Sequence, residues 1–182
     1  MQQWLLVLIL VSLSGCASLS KQECLDADAT SWEGVGYEDG YNGYHPDRRL
    51  SQHYEACSKL GVFPHRETYM AGWSRGILEY CTAERGYAIG LSGSRGNPEL
   101  CPDGTGILFQ ENAELGLQIY ELKREMDSVY NEIEDLERRL DDAKLDKHAR
   151  RDIRDRIRHR DDEMSHLRWR LMEAQSMPLI RF

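Results

Sequence analysis

Between residues 36 and 90 one short pattern occurs three times: Gly36-Tyr37-Glu38-Asp39-Gly40, Gly72-Trp73-Ser74-Arg75-Gly76 and Gly86-Tyr87-Ala88-Ile89-Gly90. Each is glycine, aromatic, two residues, glycine. Glycines four apart share one face of a helix, so a neighbouring backbone can approach that face while the aromatic beside it covers the gap. The motif therefore predicts tight helix packing. A glycine inside a helix is about 1 kcal/mol worse than alanine, so these six glycines need compensating contacts or cross-links. A phosphate-binding loop fits less well, because G-x-G-x-x-G must follow a buried strand and no apolar strand precedes any of the three. A membrane dimerisation motif needs an apolar stretch of about 20 residues around it, which is also missing.

Helices are predicted at about 30–43, at about 47–60 with Gly61 as the stop, and at about 65–81 after Pro64. A looser glycine-rich segment is expected to follow, up to Cys101-Pro102-Asp103-Gly104, where turn chemistry marks the end of a domain spanning 16–106.

The N-terminus carries an address. Trp4 to Leu13 is an uncharged apolar run of about ten residues, against the roughly twenty that a membrane-spanning helix requires. It reads as the core of a secretory signal over residues 1–15, although Met1-Gln2-Gln3 lacks the usual basic residue. Leu13-Ser14-Gly15-Cys16 follows directly and resembles a bacterial lipobox. The resemblance implies lipidation of Cys16, cleavage before it and acylation of the new amino terminus. No Asp follows the cysteine, so the implied address is the periplasmic face of the outer membrane.

Cys24, Cys57, Cys81 and Cys101 remain, an even number suited to a compartment where disulfides persist. No pair has the C-x2-4-C spacing of most zinc sites, so disulfides are expected and no metal. Three connectivities are open. The expected one pairs Cys57 with Cys81, across two adjacent antiparallel helices, and Cys24 with Cys101, tying the ends of the domain.

Trp32, Gly36, Asp39-Gly40, Gly43, His53, Cys57, Gly61, Tyr69, Gly72, Gly76, Tyr80-Cys81, Gly86, Gly90, Gly93 and Cys101, in that order and spacing, resemble the domain-of-unknown-function 2799 family of bacterial lipoproteins. The likeness covers most of residues 24–106. It implies a compartment and a fold, and no activity is attached to it.

Asp39, His45, His53, His65, Tyr69 and Tyr80 are the candidate acid–base groups, since histidine with a carboxylate is a common proton-transfer pair. No G-x-S-x-G elbow or H-E-x-x-H accompanies them. His53 is expected to be a buried, hydrogen-bonded histidine, and the protein is expected not to be an enzyme and to hold no cofactor. A small envelope ligand such as a glycan or muropeptide would use Trp32, Tyr37, Trp73 and Tyr87 as stacking platforms.

Beyond residue 106 the periodicity changes. Leu115, Ile119, Leu122, Met126, Val129, Ile133, Leu136, Leu140 and Ala143 alternate steps of four and three, which places them on one seam of a long helix. Ile153, Ile157, Met164, Leu167, Leu171 and Ala174 repeat the spacing, with Arg160 in one core position. Residues 107–146 carry five basic and twelve acidic groups, whereas 147–182 carry ten basic and six acidic. Folding back pairs the two fields, so an antiparallel coiled-coil hairpin is expected over 107–176, with Asp146 as the N-cap of its second helix and no glycine or proline at the turn. Arg150, Arg151, Arg154, Arg156, Arg158 and Arg160 alternate with aspartates and read as a salt-paired face. Residues 177–182 read as a packing or fraying tail.

The net charge of −8 excludes nucleic-acid binding by bulk charge. The expectation is an all-α chain: a small disulfide-stapled, glycine-rich helical domain followed by the hairpin. It is expected to be held to the membrane by its lipid and to contact an envelope protein.

Overall fold

The computed structural model describes residues 19–27, 31–102, 104–142 and 144–181. The signal segment and Cys16 lie outside the described residues, as do Asp103, Ala143 and Phe182. Among the described residues there is no strand. The α-helices are α1 (Lys21–Asp26), α2 (Ser31–Tyr41), α3 (Pro46–Cys57), α4 (Arg66–Tyr80), α5 (Ala83–Leu91), α6 (Thr105–Leu140) and α7 (Lys147–Ser176), with 3-10 turns at Ser58–Leu60 and Pro98–Leu100.

Local chemistry sets most of the helix ends. Ser20 and Glu23 form a reciprocal capping box at α1. Pro46 occupies the first turn of α3, where its missing N–H costs nothing. Gly61 closes the turn after α3 in a left-handed conformation. Thr82 accepts a hydrogen bond from Arg85 N (3.2 Å) and caps α5. Residues 83–91, expected to be loose, are therefore helical. Three glycines nearby lower the intrinsic propensity, but the cap and the packing of Gly86 and Gly90 against α6 override it.

The glycines lock the helices in two parallel pairs. In the first, Gly36 lies against the Tyr69 carbonyl and Gly40 against that of Trp73, while Gly72 and Gly76 of α4 lie against the Glu33 and Tyr37 carbonyls of α2. A Cβ at any of the four would overlap the facing backbone. In the second, Gly86 and Gly90 of α5 meet the carbonyls of Phe109 and Ala113 on α6, and Gly116 meets that of Tyr87. Register is preserved between the pairs. Gly43, after α2, holds φ +67° under the Tyr80 ring, and Gly93, after α5, holds φ +86° under the Tyr120 ring.

The two pairs are thus copies of one unit. Gly36, Gly40 and Gly43 correspond to Gly86, Gly90 and Gly93; Tyr69, Gly72, Trp73, Gly76 and Tyr80 correspond to Phe109, Asn112, Ala113, Gly116 and Tyr120. Helices that pack in parallel need a return connection, and each unit staples its own. Cys24–Cys57 closes the first and Cys81–Cys101 the second, with Cα separations of 5.3 and 5.5 Å. The expected pairing of Cys57 with Cys81 and Cys24 with Cys101 is overturned. Cys57 packs with Tyr69 at the start of α4, whereas Cys81 packs with Ile77 and Tyr80 at its end. A 15-residue helix is about 22 Å long, far beyond disulfide reach. Asn97 ties the units together, donating from its side chain to Gly43 O (2.9 Å) and from its backbone to the Tyr80 hydroxyl (2.8 Å).

No break falls at residue 106. Helix α6 is continuous from Thr105, and its first third belongs to the second glycine pair. Its remainder packs antiparallel to α7. Ile119, Leu122 and Val129 meet Met164, Leu167 and Ala174, with Met126, Ile133 and Leu171 beside them. Leu115, expected to open this seam, instead lines a groove with Met177 and Ile180 of the C-terminal tail. Across the hairpin Glu132 meets Arg160 (2.9 Å) and Arg156 (3.9 Å), and Glu125 meets Arg170 (4.0 Å).

The turn needs neither glycine nor proline. Asp146 caps α7 by accepting from Ala149 N (2.8 Å), as expected. Arg150 reaches back across it and donates to the carbonyls of Leu140 (2.7 Å), Asp142 (2.8 Å) and Leu145 (3.3 Å). The last carbonyl of α6, that of Leu140, and two carbonyls of the turn are thereby satisfied by a cation at the negative end of the helix dipole.

Candidate functional site

The one buried charged cluster among the described residues stands in the first unit. Asp39, on the last turn of α2, is buried beneath α3. Its Oδ2 accepts hydrogen bonds from His53 Nε2 (2.7 Å) and the Tyr69 hydroxyl (2.9 Å), and its Oδ1 accepts from Arg49 Nε (3.0 Å). Arg49 is a guanidinium, so Asp39 is an ionised acceptor and His53 must donate through Nε2. The other ring nitrogen of His53 is Nδ1. It has no hydrogen-bond partner, although the side chain is only 1% exposed.

Neighbouring groups hold this arrangement. Burial and the Asp39 carboxylate push the Tyr69 phenol far above its ordinary value, so it stays a neutral donor. The Arg49 guanidinium also lies 4.6 Å from the centre of the Tyr44 ring, and Trp32 packs on His53 with centroids 6.1 Å apart. No hydroxyl, thiol or amine nucleophile is hydrogen-bonded to His53 among the described residues. Nor are three His, Cys, Asp or Glu side chains placed among them to hold a metal ion.

Beside the cluster a cavity of about 740 Å³ opens between the start of α1, α2 and α3. Asp39, Arg49 and His53 line it, together with Ser20, Glu23 and Glu38.

The other candidate acid–base groups are dispersed. His45 precedes α3 and makes no capping bond. His65 caps α4 through Nδ1, and Tyr80 is buried with its ring stacked on Phe109 (4.7 Å). The four aromatics expected as stacking platforms do not share a cleft. Trp32 is buried in the first unit's core, and Tyr37 is half-buried and donates to Glu79 (2.8 Å). Trp73 donates from its indole to Tyr44 O (2.8 Å), and Tyr87 packs against the hairpin seam.

Asn112 was invisible to motif reading. It stands where the first unit has Gly72, is fully buried, and holds the backbone of Ile180 through its side-chain amide. Its only sequence signal is its register four residues before Gly116, in a fourth copy of the motif that has lost its first glycine and its aromatic.

No helix among the described residues is long and apolar enough to cross a membrane. No curated protein and no solved structure matches the chain. Residues 31–118, which begin with α2, end just past Gly116 and so take in both glycine-locked pairs, match the model of a family described as a protein of unknown function, DUF2799.

Proposed function

We propose that the protein is a lipid-anchored envelope protein, attached through Cys16 at the periplasmic face of the outer membrane, with a non-enzymatic structural or adaptor role. The lipobox-like Leu13-Ser14-Gly15-Cys16 and the four paired cysteines support the address. The observation that carries the role is the exposed pair Trp169 and Met172 on α7. Trp32, Tyr37, Trp73 and Tyr87 are engaged inside the fold, whereas Trp169 is 54% and Met172 63% exposed one turn apart on α7. Aromatic and methionine side chains are enriched at protein–protein contacts. The hairpin is the surface offered to a partner protein.

In-cell photocrosslinking from Arg124, Asn131 and Arg154, with Trp169 as a fourth position, tests the role. One envelope protein captured from several positions supports it; no capture from an abundant, folded protein sinks it. Incorporation of labelled palmitate that is lost in Cys16→Ser tests the address separately.

A further inference from the structure

Helix α1 stands outside the glycine frame. The frame closes through α2 with α4 and α5 with α6, and the family match begins only at Ser31, yet α1 is fastened to the body by the Cys24–Cys57 disulfide. Leu19 and Ala27, on either side of α1, pack on the same buried cluster as Leu60 and Val62 beyond α3. Cys16 is three positions before Leu19 and eight before Cys24. Five peptide steps from Cys16 to Lys21 reach at most about 18 Å. A long free linker would let the body turn on its lipid, whereas a cross-link this close to the attachment point confines it.

The same disulfide gathers exposed apolar side chains. Leu25 adjoins Cys24, Tyr54 lies one turn before Cys57 on α3, and Phe63 follows Val62 with its ring centre 5.7 Å from that of Tyr54. Each of the three is more than half exposed. Single exposed apolar side chains are ordinary, but three around one cross-link make a patch. The charges of the same elements, Lys21 and Lys59 against Glu23, Asp26 and Glu55, nearly cancel, so bulk attraction to anionic lipid does not supply a contact. Apolar and aromatic side chains entering the boundary between headgroups and acyl chains do. A surface tethered this near a bilayer needs little affinity of its own, because the tether supplies a high effective concentration.

We propose that Leu25, Tyr54 and Phe63 form the membrane-facing surface of the protein and enter the headgroup region of a phospholipid bilayer, so that the anchor sets the orientation of the body as well as its place. This orientation rests on the reading of Cys16 as the lipidated residue.

The test uses the protein isolated from cells in detergent and reconstituted in vesicles of phosphatidylethanolamine and phosphatidylglycerol. Nitroxide labels are placed on Tyr54→Cys and Phe63→Cys, with Leu78→Cys as the comparator. Leu78 is an equally exposed apolar side chain near the far end of α4, about 18 Å along that helix. Collisions are measured with oxygen, which concentrates in the bilayer, and with a nickel chelate, which stays in water. The ratio of oxygen to nickel access is expected to be severalfold higher on Tyr54→Cys and Phe63→Cys than on Leu78→Cys. Equal ratios on protein that floats with the vesicles overturn the orientation and leave the anchor standing. Loss of access to both colliders marks a protein contact and overturns it as well. Protein that carries no lipid on Cys16 and does not float overturns the anchor and the orientation together.

Discussion

Asn112 and Ile180, 68 positions apart, are joined by two hydrogen bonds of 3.0 Å: the amide nitrogen of Asn112 donates to Ile180 O, and its oxygen accepts from Ile180 N. The tail beyond α7 is thus fastened to the second glycine pair, with Arg181 adding an ion pair to Glu84 (2.8 Å). Asn112→Ala removes both bonds and strands the Ile180 backbone. The expected cost is about 1–3 kcal/mol, with faster hydrogen exchange at Ile180 and faster trimming by carboxypeptidase. Unchanged exchange there would show that the tail is held by other contacts.

The locked pair of α2 and α4 holds two kinds of helical glycine. Gly72→Ala places a methyl group into the Glu33 carbonyl, and backbone cannot yield as a side chain can. A loss of about 3 kcal/mol or more is expected in denaturant unfolding. Gly34 has open space around its Cβ position, so Gly34→Ala is expected to stabilise the protein by about 0.5–1 kcal/mol. Similar effects for the two would contradict the parallel packing of α2 on α4.

Each disulfide closes one unit, across 33 and 20 positions. Removing either pair by double serine substitution is expected to cost about 2–4 kcal/mol, and loop entropy separates the two by only about 0.4 kcal/mol. Non-reducing peptide mapping should recover Cys24 with Cys57 and Cys81 with Cys101.

Alkaline stability follows from the buried phenols. Burial, reinforced at Tyr69 by the Asp39 carboxylate, raises both Tyr69 and Tyr80 above the ordinary value of 10.0. Above that pH the unfolded chain releases these protons while the folded chain keeps them. The folded state then binds more protons, so stability declines as pH rises above about 10. Tyr69→Phe, which installs the residue found at Phe109, should cost about 1 kcal/mol at neutral pH and flatten the alkaline decline. A decline just as steep in the variant would assign it to other groups.

The hairpin turn depends on a cation from its far side. Arg150→Ala leaves three carbonyls without that donor, and a cost of about 1–2 kcal/mol is expected. Distance labels at Glu121 and Arg168 should remain close, because the seam from Ile119 to Ala174 is intact.

Much of this architecture was legible wherever a single helix writes its own pattern. The heptad steps, Asp146 as a cap and Gly61 as a stop depend on residues within a turn or two of one another. The glycine motif announced close packing for the same reason, yet could not say which helices meet, since a lock is a property of two surfaces. Its fourth copy was hidden because Asn112 and Ala113 replace glycine and aromatic, so Gly116 stood alone. The disulfide pairing failed with that missing partner: without α2 against α4, Cys57 and Cys81 looked adjacent. At the candidate site His53 was readable as a buried, hydrogen-bonded histidine. Its convergence with Asp39, Arg49 and Tyr69 was not, because those residues come from three helices and nothing local marks their meeting. The scattering of Trp32, Tyr37, Trp73 and Tyr87 has the same origin: equal spacing from a glycine sets a register on each helix, not a common cleft.

Helix α6 is one uninterrupted rod of 36 residues, about 54 Å long. Its root is locked against α5 through Gly86, Gly90 and its own Gly116, and its tip is the Arg150-clamped turn. No hinge separates the two. A pull or a tilt imposed at the tip is therefore delivered to the root as torque, on carbonyl-against-glycine contacts that have no slack, and the protein behaves as a lever whose fulcrum is its tightest packing.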